Sequence, residues 1–217
     1  MAGVLAALDW VPMPALTREQ VLRTAVLLAD RDGSDAVTLR RIARELGVHV
    51  TSLYHYVPTR DAVTDGIVEL LLDEAKLPTG PVAWDTWVRE FVDAVTSIAA
   101  THPGAFHALQ QRPVQGARAT ASFEVALAAF ESAGFTSHDA YAAIKSASYL
   151  ALMIGRERSM VALGDMPETQ LDQLPAEQFP LVRSVAADAL NHESVWDFGA
   201  ETLVLGLRAR LEQRESS

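Results

Sequence analysis

The sequence predicts an all-α protein, and three observations carry that prediction. Apolar residues recur at helical spacing almost throughout, and no stretch of useful length alternates as a strand would. Threonines at 38 and 59 stand where helix N-caps are wanted, each just ahead of an apolar stripe. The separators between stripes are short, as in helical bundles. The expected architecture is a three-helix N-terminal unit followed by a larger helical body, nine or ten helices in total.

Taken in order, the first helix opens at Thr17, with Glu19 and Gln20 in its first turn. Val21, Leu22, Ala25, Leu28 and Ala29 form its stripe, and Asp32-Gly33 ends it. Thr38 caps a short helix, Leu39 to Leu46, that stops at Gly47. A second short helix follows over about Val50 to Tyr56. Val57-Pro58 then breaks the chain, because the residue before proline is pushed out of helical space. Thr59 caps a helix to about Lys76, with Val63, Ile67, Leu70 and Leu71 inward. Leu77-Pro78-Thr79-Gly80-Pro81 is the clearest boundary in the chain. Beyond it, helices are expected near 83–101, 103–110, 115–133, 137–163, 175–190 and 193–213. The division is a flexible segment 1–16, a first domain 17–76 and a second domain 77–217.

Composition narrows the function. The 217 residues are 49% hydrophobic and 21% charged, which is normal for a globular protein and far from a disordered one. Cysteine is absent, which excludes disulfides, thiolate metal sites and thiol catalysis. No 18-residue stretch is free of charge or turn residues, so no membrane span is expected. The first 16 residues lack a basic region and carry Asp9, unlike a secretory signal, and a cytoplasmic location is expected. Net charge is −10, which by itself argues against a nucleic-acid partner. The charge is uneven, however. Residues 17–62 hold seven arginines against six acids, whereas 63–217 hold 11 basic and 21 acidic residues.

Residues 38–56 carry the functional signal. Two short helices crossing steeply need a small residue where their backbones meet, and Ala43 supplies it. The turn between them needs a residue that tolerates positive φ, and Gly47 supplies that. Ile42, Leu46, Val48, Leu53 and Tyr56 fall on the inner faces. This is the pattern of a helix-turn-helix. The outward face of the second helix keeps His49, Val50, Thr51, Ser52, Tyr54 and His55: short hydroxyls, ring donors and a methyl-bearing side chain suited to base edges and phosphates. Arg40, Arg41 and Arg44 on the first short helix, with Thr38 at its start, sit where phosphate contacts are made. Arg60, at the start of the following helix, can reach phosphate as well.

Residues 17–76 resemble the DNA-binding domain of the TetR family of transcriptional repressors. The resemblance rests on Thr38-Leu39-Arg40-Arg41-Ile42-Ala43, Leu46-Gly47-Val48, Ser52-Leu53-Tyr54-His55-Tyr56-Val57 and Arg60-Asp61-Ala62-Val63. It implies a homodimer with one helix-turn-helix per subunit in successive major grooves of a palindromic operator. It further implies a C-terminal domain that binds a small molecule and then releases DNA. The rest of the chain resembles the tetracycline-repressor branch more loosely. His107 and Glu157 fall near positions that hold magnesium there, but the spacing at His107 is off by one residue. One histidine with a distant glutamate falls short of a divalent-ion ligand set, so no metal or cofactor is expected.

In the second domain the aromatic and aliphatic residues are core by default, and a ligand cavity would draw on the same types with a few polar groups. The candidates for effector contact are Trp87, Phe91, His102, Phe106, His107, Gln110, Gln111, Phe123, Leu127, Tyr149, Met153 and Arg156. They imply an apolar or aromatic effector lodged among the helices at 84–110 and 120–156, whose entry moves the helix at 59–76. For dimerisation, Ala143, Ala147 and Ala151 offer small residues on one helix. Trp196, Gly199, Leu203, Gly206 and Leu207 form a stripe on the last. Two such helices from each subunit would make a four-helix bundle.

Two rival readings remain at this stage. An enzyme lacks support, since the chain has no phosphate-cradling Gly-rich loop, no His-Glu-x-x-His pair and no Gly-x-Ser-x-Gly elbow. The other is an all-α small-molecule-binding or adaptor protein without sequence-specific DNA binding.

Overall fold

The computed structural model describes residues 16–112, 116–165, 173–185 and 192–215. Among these the protein is helical: α1 (Arg18–Asp32), α2 (Leu39–Leu46), α3 (Val50–Leu53), α4 (Arg60–Glu74), α5 (Trp84–Thr101), α6 (His107–Gln111), α7 (Ala117–Ser132), α8 (Ser137–Leu163), α9 (Pro180–Val185) and α10 (His192–Glu215). A single 3₁₀ turn, Ser34–Ala36, lies between α1 and α2. No helix of the described residues is long and apolar enough to cross a membrane.

The N-terminal helices begin where their threonines dictate. Thr17 Oγ1 accepts from the Gln20 amide at 3.1 Å while Gln20 Oε1 accepts from the Thr17 amide at 2.9 Å, a reciprocal capping box. Thr38 caps α2 through the Arg41 amide, and Thr59 caps α4 through the Ala62 amide. Gly47 ends α2 at φ +66°, the left-handed conformation that a side chain disfavours.

Three expected helices are shorter than their apolar patterns suggest. The one expected to reach Tyr56 ends at Leu53, and 54–56 form a turn. Tyr56 instead donates its hydroxyl proton to the Leu16 carbonyl at 2.6 Å, tying the turn to the start of α1. The helix expected from 103 begins at His107, because residues 102–106 are docked on α1. Asp30 Oδ1 accepts from the Ala105 amide at 2.9 Å, and a Cβ on Gly104 would collide with the Ala29 carbonyl oxygen. The helix expected over 175–190 is confined to Pro180–Val185 among the described residues. Residues 1–15 and 186–190, for which a flexible segment and helix were expected, lie outside the described residues.

Packing divides into two cores. One is mostly aliphatic and runs from α1 to α4 into α5, α6, the second half of α8 and Trp196 of α10. The other is aromatic, built from Trp84, Trp87, Phe130 and Phe135 with the first half of α8 and with Val204 and Leu207 of α10. The pairing of α5 with α8 is the most extensive between any two elements and connects both cores.

Candidate functional site

The α2–α3 unit is held by its inner residues and leaves its outer ones to solvent. Ile42 and Leu53 are fully buried, and Leu46, Val48 and Tyr56 pack partly against the same core. The Val48 amide donates to the Ala43 carbonyl at 3.0 Å, which locks the turn at the close approach. Thr51, Ser52, Tyr54, His55 and His49 are exposed; Val50 is half-buried and packs on the core. Because α3 is only one turn long, Tyr54 and His55 are presented from the turn that follows it.

The four arginines differ in availability. Among the described residues Arg40 and Arg44 make no ion pair and are exposed. Arg41 is turned toward Asp32, which also receives Arg31. Arg31, first, and then Arg41 hold the Asp32 carboxyl below its usual range, and Arg31 does the same to Glu45. Arg60 lies 3.8 Å from Asp35 in an open, solvated pair. The free positive charge of this face is therefore Arg40 and Arg44, with Arg60 at its edge.

A cavity of about 590 Å³ opens in the body, within the range of small-molecule sites. Trp87, Phe91, Gln110, Gln111, Phe123 and Tyr149, all named from the sequence, line it. Trp87 and Phe91 are stacked, with centroids 4.6 Å apart and planes 14° from parallel. The Trp87 Nε1–H is buried and has no acceptor among the described residues. Tyr149, 60% exposed, stands at the opening.

Six other candidates lie away from that wall, each for a local reason. His102 is held between Asp30 (2.8 Å from Nδ1) and Glu74 (3.4 Å from Nε2), at the junction of α1 and α4 with the body. Phe106 is buried with its ring against Gly155 of α8. His107 is exposed, its ring engaged by Gln110 and Gln111 of its own helix. Leu127 packs on the aromatic core. Met153 and Arg156 line a separate groove between α8 and α10. Glu157 accepts from Trp196 Nε1 at 2.7 Å, so it and His107 serve different partners. No three His, Asp or Glu residues gather as a metal site among the described residues.

Sequence reasoning missed two cations of the cavity, Arg112 and Lys145. Arg112 Nε donates to Asp65 Oδ1 at 2.6 Å and Nη2 to Asp65 Oδ2 at 3.0 Å, while Nη1 lies 3.4 Å from Asp61 Oδ2. This fork holds the Asp65 carboxyl below its usual range. Lys145 was available to sequence reasoning as the residue four before Tyr149 on one helix; its ammonium stands 4.8 Å over that ring.

The small-residue stripe proposed for dimerisation divides. Ala147 and Ala151 are fully buried within the chain, Ala143 and Leu207 nearly so, and Trp196 is buried under the Arg158 guanidinium. Those side chains pack within the chain, while Ala143 and Leu207 also line a groove between α8 and α10 and Trp196 lines the one beside it. Gly199, Leu203 and Gly206 do line an open groove between α8 and α10. Beside it the exposed apolar residues are Met153, Val195, Phe198 and Leu205, at 59–72% exposure.

A short helix pair crossing at Ala43, with a basic outer face, defines a helix-turn-helix protein of the DNA-binding regulator class. Residues 21–65 match the family model described as "Bacterial regulatory proteins, tetR family". An HTH-type transcriptional regulator of Saccharopolyspora erythraea is 30% identical over 204 residues, covering 90% of this chain and 86% of the relative. The class D tetracycline repressor protein of Escherichia coli is 28% identical over 92% of each chain. Among solved structures, the Streptomyces coelicolor TetR family protein ActR in complex with actinorhodin superposes with a TM-score of 0.78 at 25% identity, covering 91% of this chain and 99% of that one. The chain belongs to the TetR family of transcriptional regulators. Its relatives are named as regulators and repressors, and it is a regulator rather than an enzyme.

Proposed function

We propose that the protein is a ligand-responsive repressor that binds a palindromic operator as a homodimer. Residues 17–76 form the DNA-binding domain in this reading, and 77–217 bind the effector and the second subunit. Thr51, Ser52, Tyr54, His55 and His49 meet base edges, and Arg40, Arg44 and Arg60 meet phosphates. Thr38, Arg41 and Val50 position that surface from behind. A small apolar or aromatic effector enters the 590 Å³ cavity and releases DNA. The observation that carries this reading is that the cavity and the DNA face share one helix. Leu72 of α4 lines the cavity, and the first turn of the same helix follows the recognition segment directly. Displacement of α4 changes the spacing of two recognition segments, and a coupling of about 1–3 kcal/mol suffices to release DNA. The relatives named as repressors, and ActR with a small molecule bound, support the reading. The apolar α8–α10 face, with Phe198 the most exposed of Met153, Val195, Phe198 and Leu205, supports the homodimer.

The test is a gel shift with DNA from the gene's own promoter region, beside an unrelated fragment, at low and moderate salt. The wild-type protein shifts the promoter fragment alone. Thr51→Ala and Tyr54→Ala each weaken the shift by about tenfold, the scale of one lost base contact, with the fold and dimer intact. Phe198→Glu yields a monomer in sedimentation and abolishes the shift. Equal retention of both fragments would establish the adaptor reading instead.

A further inference from the structure

Arg112 belongs to two structures at once. It lines the cavity, and its guanidinium grips α4 through Asp65 and Asp61. The two aspartates are four residues apart, one turn of the helix that follows the recognition segment. The Nε–Nη2 edge of the fork is filled by Asp65, and Nη1 leans on Asp61. A carboxylate entering the cavity and taking the Nε–Nη2 edge displaces Asp65 from it.

The cavity is also charged against the rest of the molecule. In a chain of net charge −10, its described lining contains Arg112 and Lys145 and no carboxylate. The same lining includes the stacked rings of Trp87 and Phe91. Flat rings and two cations are complementary to a flat aromatic ring bearing an acid group.

We propose that the effector is a planar aromatic carboxylic acid and that Arg112 is the latch it opens, its carboxylate taking the guanidinium edge held by Asp65 and so freeing α4. This rests on the reading of the cavity as the effector site. The exchange replaces one anion by another on the same cation, and Asp65 returns to water. Asp65 is half-exposed where it is held, so its carboxylate is readily rehydrated when the pair opens. The ligand gains the Nε–Nη2 edge only in the unlatched state. That supplies the differential affinity without which a ligand shifts no equilibrium.

The experiment compares anthraquinone-2-carboxylate with its neutral carboxamide on the full-length protein, by calorimetry and by release of the operator fragment. Wild type binds the carboxylate about tenfold more tightly than the amide, the scale of one charged hydrogen-bonded contact. Arg112→Gln erases that preference and keeps the amide affinity. Asp65→Asn binds the carboxylate several-fold more tightly, since its neutral amide competes poorly for Arg112, and holds operator more weakly than wild type before any probe is added. Equal affinity for both probes, unchanged in Arg112→Gln, overturns the latch and leaves the cavity reading standing. Wild-type operator affinity in Asp65→Asn also overturns the latch alone. Failure of wild type to bind either probe overturns the ligand class and the cavity reading together.

Discussion

The two cores of this molecule are built from different side chains and permit different behaviour. The distal core is a nest of rings: Phe130 lies 5.1 Å from Phe135, Trp84 5.4 Å from Phe135, and Trp84 5.6 Å from Phe130. Ring pairs favour particular offsets and tilts, so this end resists repacking. The proximal core joins α1–α4 to the body through Val, Leu, Ile and Ala, with Phe106 and Trp196 as its buried aromatic members. Aliphatic contacts are non-directional, so this core fixes the angle of a helix less tightly than paired rings do. The difference teaches where movement belongs. The cavity wall that starts at Trp87 is anchored in the rigid core, whereas α4 is seated in the adaptable one.

The contrast can be broken in stages. Phe130→Ala removes a ring that meets three others and is fully buried; it should destabilise the protein by about 3–5 kcal/mol in urea unfolding. A loss below about 1 kcal/mol would deny the aromatic core its anchoring role. Gly104→Ala attacks the junction instead. Its new Cβ meets the backbone of Ala29 rather than a movable side-chain tip, so the loop must lift from α1. The expected cost is about 1–3 kcal/mol, with weaker operator binding in the same preparation. A variant of wild-type stability and DNA affinity would show that the 102–106 loop does not join head to body. Thr38→Ala removes a cap at the surface of the head and should cost about 1 kcal/mol, read as a lower denaturant midpoint at unchanged slope. An unchanged midpoint would mean that α2 is held by its packed face alone.

The head was legible because its instructions are local. Thr17, Thr38 and Thr59 cap their helices through amides three residues on, and Gly47 closes the turn within its own loop. Such contacts join neighbours in sequence, and apolar spacing with cap chemistry states them in advance. The arginines were legible as a cluster but not individually. Only the fold shows that Arg41 turns back to Asp32 while Arg40 and Arg44 remain free.

In the body the same reasoning recovered the helices better than their roles. Helical spacing marks an inward face without saying what stands opposite. Ala147 and Ala151 read from the sequence as part of an intersubunit seam, and they are fully buried within the chain. His102 and His107 resembled ligand groups until tertiary contact gave one to Asp30 and Glu74 and the other to its own helix. The sequence by itself determined the helical class, the capped head and the outward face of 49–55. Tertiary structure alone decided which residues wall the cavity and that Arg112 reaches Asp65, 47 positions earlier in the chain. Contacts at that separation arise from how helices pack, and periodicity along one helix carries no record of its partner.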